Sequence, residues 1–138
     1  MTKNIENTDM SKKRWYIPAI IVALNALAII VKWCSLPEIL PAHYDLQGNA
    51  GGTMPRSILF LYILMGVIIC LSAYLFGRKK QKLQGGLIIL SSGICLVLFS
   101  STMVTLTSGT MPIFMLAEPV ILLVAVVGCA VCWVKARR

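Results

Sequence analysis

The sequence predicts an all-α integral membrane protein: four transmembrane helices in two antiparallel hairpins, with both termini cytoplasmic. Three observations lead there. Of the 138 residues, 58% are hydrophobic and only 13% are charged, whereas a soluble domain is near half apolar and about a quarter charged. The apolar residues gather into four blocks, each close to the roughly 20 residues a helix needs to cross a bilayer. Basic residues flank these blocks in the alternation expected of a polytopic chain.

Residues 1–14 are polar and poorly patterned, and read as a cytoplasmic tail. The first hairpin covers 15–76. It comprises WYIPAIIVALNALAIIVKWC from Trp15 to Cys34, an outer loop over 35–56, and SILFLYILMGVIICLSAYLF from Ser57 to Phe76. A basic cytoplasmic turn spans 77–85. The second hairpin, 86–134, contains GLIILSSGICLVLFSSTMVTL from Gly86 to Leu106 and IFMLAEPVILLVAVVGCAVCWV from Ile113 to Val134, and a basic tail follows at 135–138. In lipid the backbone must pair within each block, so each is expected to be helical. The brief connection Thr107–Pro112 makes the last two helices antiparallel neighbours. VKWC lacks the small residues of a cleavage site, so the first block is expected to stay as an anchor.

A formal net charge of +8 could signal nucleic acid. Its distribution argues otherwise. Lys3, Lys12, Lys13 and Arg14 precede the first block, Arg78, Lys79, Lys80 and Lys82 separate the second from the third, and Lys135, Arg137 and Arg138 follow the fourth. An even number of crossings puts all of these on one side, leaving Lys32 and Arg56 as exceptions. The expected location is therefore a cytoplasmic membrane, N-in and C-in, with 35–56 outside and no nucleic-acid partner.

Cys70, Cys95, Cys129 and Cys132 fall inside blocks, where cysteine packs as a small apolar residue. One CxxC pair does not make a tetrahedral metal site. Ser91, Ser92, Gly93, Ser100 and Ser101 give the third block a surface suited to close helix approach. No internal repeat is evident, and no cofactor is expected.

The remaining polar residues are the candidate site. Asn25, midway along the first block, calls for an interhelical hydrogen bond or a ligand. Glu118 precedes Pro119 and lies roughly 8 Å below the outer end of the fourth helix at 1.5 Å per residue. A carboxyl group there needs a partner or a proton, while proline withholds an amide and favours a bend or cavity. Lys32, and secondarily Arg56, are expected to share a water-accessible pocket with Glu118.

The outer loop holds LPEILPAHYDLQG, with Glu38, the lone histidine His43, and Asp45. These residues support a structural loop, a recognition surface, a catalytic pair or a weak metal set. His43 has the chemistry of a general base, with Asp45 or Glu38 to orient it, and imidazole plus carboxylates are suitable metal donors. The spacing matches no HExxH, GxSxG or phosphate-binding loop.

Leu36-Pro37, Leu40-Pro41, His43, Tyr44 and Gly48 resemble the outer-loop signature LPxxIPxHFxxxGxxD, followed by a lysine, of the SdpI-like family of toxin-immunity membrane proteins. Gly51 stands in place of the aspartate and Arg56 in place of the lysine. The resemblance covers the first hairpin, about 15–76. It implies an integral bacterial membrane protein that protects against a secreted peptide toxin or signals through a sequestered repressor.

The leading expectation is therefore a small polytopic protein that recognises a peptide, lipid or protein partner at its outer face. The expected ligand-binding set is His43, Asp45, Glu38, Arg56, Glu118, Lys32 and Asn25. Expected partners are membrane lipids, a peptide toxin or membrane protein, and further copies of the chain. An ion-coupled transporter using Glu118 and a membrane enzyme using His43 are the alternatives.

Overall fold

The computed structural model describes residues 14–45, 47, 49–107 and 112–137. The tail 1–13, Gly48 of the loop signature, the connection 108–111 and Arg138 lie outside the described residues.

Four long helices form: α1 Tyr16–Lys32, α2 Ile58–Lys79, α3 Gln84–Leu106 and α4 Pro112–Arg137. All four are long and apolar enough to cross a membrane. Pro18 lies in the first turn of α1 and Pro112 begins α4, where a missing amide removes no intrahelical bond. Three helices run beyond their expected limits. α2 continues to Lys79, α3 starts at Gln84 and α4 reaches Arg137, so the basic turn contracts to Lys80 and a 3₁₀ turn over Gln81–Leu83. Basic residues in the last turns of α2 and α4 favour this extension, because cations stabilise the negative end of a helix dipole.

α3 is the central element and packs against the other three helices. Its buried positions are mostly small or hydroxylated, among them Gly86, Ser91, Gly93, Ser100, Thr102 and Thr105. Ser91 and Ser92 donate to the Ile88 carbonyl, and Thr102 to the Leu98 carbonyl at 2.8 Å. These hydroxyls satisfy themselves within their own helix and leave its surface free for close packing. A Cβ at Gly93 would collide with Cβ of Ala125 on α4, and one at Gly66 would sit 2.9 Å from Val22 Cγ2 on α1. Large apolar side chains such as Leu24 and Val31 of α1, Leu71 of α2 and Leu123 of α4 face outward, as lipid contact requires.

To this all-α bundle the outer loop adds one short strand pair that the sequence did not predict. Residues Ile39–Tyr44 form β1 and Ala50–Pro55 form β2, an antiparallel hairpin with Leu40 opposite Met54 and His43 opposite Gly51. Leu40 and Met54 are buried with Ile29 of α1 and Leu59 of α2, packed around by Trp33, Leu36, Tyr62 and Leu106. The base of the hairpin is thereby plugged into the outer end of the helices. This burial supplies a driving force that the strand sequences lack, since Pro41, Gly51 and Gly52 are poor strand formers.

Candidate functional site

Two devices hold the hairpin in place. At its base, the Arg56 amide donates to the Glu38 carbonyl at 2.9 Å, and Arg56 Nη1 donates to the Leu36 carbonyl at 3.4 Å. The guanidinium lies 4.8 Å from the Trp33 ring, which packs against Phe60 with centroids 4.6 Å apart. At the tip, Asp45 Oδ1 accepts the amides of Gln47 at 2.9 Å and Asn49 at 2.7 Å, and Oδ2 accepts Asn49 Nδ2 at 2.8 Å. A short acidic side chain folding back on the following amides is a standard way to stabilise a turn.

Across the ladder, the His43 imidazole covers the Gly51 backbone. A Cβ at Gly51 would collide with His43 Nε2 and approach Cδ2 to 2.9 Å. Gly52, at φ +65°, adopts the left-handed conformation that glycine accepts without strain. These two glycines let the imidazole lie flat against the second strand.

Beneath this hairpin is a cavity of about 630 Å³. Ala42, His43, Tyr44, Asp45 and Gln47 form its hairpin side, Tyr62 comes from α2, Ser101, Val104 and Thr105 from α3, and Glu118 from α4. Ser101 Oγ donates to Glu118 Oε1 at 2.7 Å, fixing the carboxyl group at the cavity wall. α4 runs through Pro119 as one helix. The carbonyl one turn earlier loses its usual donor there, which places a further polar group on this stretch of α4.

The structure thus brings His43, Asp45 and Glu118 to one cavity and leaves the other candidates elsewhere. Lys32 and Glu38 are exposed at the ends of the hairpin connections, and Arg56 is engaged at the hairpin base. Neither Lys32 nor Arg56 joins Glu118 in the pocket they were expected to share; its partner is Ser101. The reason is topological, since α4 packs on α3 while α1 packs on α2 and α3. Asn25 is buried, and its Oδ1 has no hydrogen-bond partner among the described residues, so the expected interhelical bond to that oxygen is not made. Among the described residues, no three His, Cys, Asp or Glu side chains are grouped to hold a metal. Glu38, His43 and Asp45 therefore do not converge as a ligand set.

Tyr62, Ser101 and Thr105 were not among the sequence candidates. A depth argument could have found Ser101: with helices antiparallel across a short connection, it faces Glu118 at the same level. Tyr62 carries no such signal, since a tyrosine near a span end is commonly an interfacial anchor.

The family model of a domain of unknown function, DUF1648, matches residues 20–66. That stretch runs from α1 through the hairpin and into α2, and includes His43 and Tyr62 but not Ser101 or Glu118. No curated protein and no solved structure matches the chain.

Proposed function

We propose that this small polytopic membrane protein recognises a peptide at its extracytoplasmic face, admitting a cationic group of the ligand beneath the hairpin. The observation that carries the reading is the cavity lining. It holds the carboxyl groups of Glu118 and Asp45, the His43 ring and several hydroxyls, with no lysine or arginine among the described residues. Its volume of about 630 Å³ lies in the range of small-ligand sites. Asp45 is engaged in the turn, so Glu118 supplies the carboxylate for an incoming amine, with Ser101 orienting it. The cavity walls supplied by Ala42, Tyr44, Tyr62 and Val104 suit the hydrophobic residues of an amphipathic peptide.

Such recognition fits an immunity or signalling role of the kind that the SdpI-like resemblance implies. The test uses the full chain in lipid nanodiscs and a fluorescent leucine-rich peptide with one lysine, compared with its lysine-acetylated form. The unmodified peptide is expected to bind more tightly, and Glu118→Gln to lower its affinity roughly tenfold, as for loss of a charge-assisted contact. Equal binding of both peptides would sink the proposal. Glu118-dependent ion flux in liposomes without peptide binding would replace it with transport.

A further inference from the structure

A second cleft lies at the opposite end of the bundle, with a volume of about 530 Å³. Lys79, Lys80, Lys82 and Leu83 line it from the end of α2 and the 3₁₀ turn; Trp133, Ala136 and Arg137 line it from the end of α4. We propose that this cleft is a binding site for the phosphate-bearing headgroup of an anionic phospholipid from the adjoining leaflet.

Charge balance is the first argument. Four cationic side chains converge on the cleft, while the described carboxylates, Glu38, Asp45 and Glu118, belong to the hairpin and to the part of α4 beneath it. No described acid competes for these cations. Topology alone would be served by basic residues dispersed along the turn and the tail. It does not require segments some fifty positions apart to bring their cations to one concavity, as residues 79–83 and 133–137 do here.

Preorganisation is the second. Arg137 Cζ lies 3.6 Å from the centroid of the Trp133 ring. Stacking on an indole restrains a guanidinium while leaving its edge donors able to engage phosphate. Trp133 is 45% exposed, and with Leu83 and Ala136 it gives the cleft an apolar floor continuous with the lipid-facing helices. A headgroup tethered to acyl chains uses both the charge and the floor, whereas a free phosphate uses only the charge. Juxtamembrane basic residues each favour anionic lipid, and several acting together give a clear preference.

The test is native mass spectrometry of the full chain released from mixed phosphatidylglycerol and phosphatidylcholine nanodiscs. Retained lipid is expected to favour phosphatidylglycerol by roughly tenfold or more. The triple substitution Lys80→Gln, Lys82→Gln, Arg137→Gln should reduce this to about parity, whereas Lys32→Gln, at the other end of the bundle, should leave it unchanged. Helical circular dichroism verifies folding. Should the triple variant lose helicity, Arg137→Ala alone is measured and must reduce the preference at least about twofold. An undiminished preference in the folded variants, or an equal loss with Lys32→Gln, overturns the proposal. Displacement of the lipid by inorganic phosphate, itself retained at the site, would identify a free-anion site and overturn it too.

Discussion

The contact between His43 and Gly51 gives the loop signature a local physical meaning. Where the resembling family carries aspartate, this chain carries glycine, and the imidazole occupies the space that a Cβ would need. Gly51→Ala is expected to push the ring off the second strand. NMR of a ¹⁵N-histidine-labelled sample should show the His43 ring resonances shift by more than in Gly85→Ala, where an added Cβ meets only Cys132 Sγ at 3.9 Å. Unchanged His43 resonances would refute the packing. Asp45→Ala should accelerate hydrogen exchange at the Gln47 and Asn49 amides, whose acceptor is removed, with β1 amides less affected. At this scale the sequence revealed which residues were unusual but not their partners. Glu118 was conspicuous as a carboxyl group in an apolar run, yet Ser101 looked like one more small packing residue. Depth across the short connection brings Ser101 level with Glu118, but excluding Lys32 and Arg56 as its neighbours required knowing that α3 packs against both α1 and α4.

The helices and the hairpin differ in how they are encoded. Apolar length declares a membrane helix, because lipid leaves the backbone no other way to pair, and all four helices were legible. The hairpin was not, since ILPAHY and AGGTMP hide the alternation of a strand behind proline and glycine. It depends on Leu40 and Met54 seating on Ile29 and Leu59, and on Arg56 closing its base. Between helices the corresponding device is removal of side chain. Gly93→Val must displace Ala125 or separate α3 from α4, with a destabilisation of about 1–3 kcal/mol typical of overpacking. Thermal unfolding in detergent should show a lower midpoint, and Ala125→Gly should recover part of the loss in the double variant. No recovery would mean that the two positions do not share the contact.

On the scale of the whole molecule, the bundle is electrically polar along its axis. The hairpin and its cavity present carboxyl groups, and the opposite end presents Arg78, Lys79, Lys80, Lys82, Lys135 and Arg137. The positive-inside rule applied to this polarity predicts a hairpin outside the cytoplasm, and a native thiol offers a direct check. Cys34, in the 3₁₀ turn at the hairpin end of α1, is exposed, whereas Cys70, Cys95, Cys129 and Cys132 are buried or half-buried within helices. A membrane-impermeant maleimide applied to intact spheroplasts should therefore label the protein at Cys34, and Cys34→Ala should abolish the signal. Labelling of Cys34 only after permeabilisation would put the hairpin and its cavity on the cytoplasmic side. An extracellular peptide could then no longer be the ligand, while the cationic cleft would face anionic lipid of the outer leaflet.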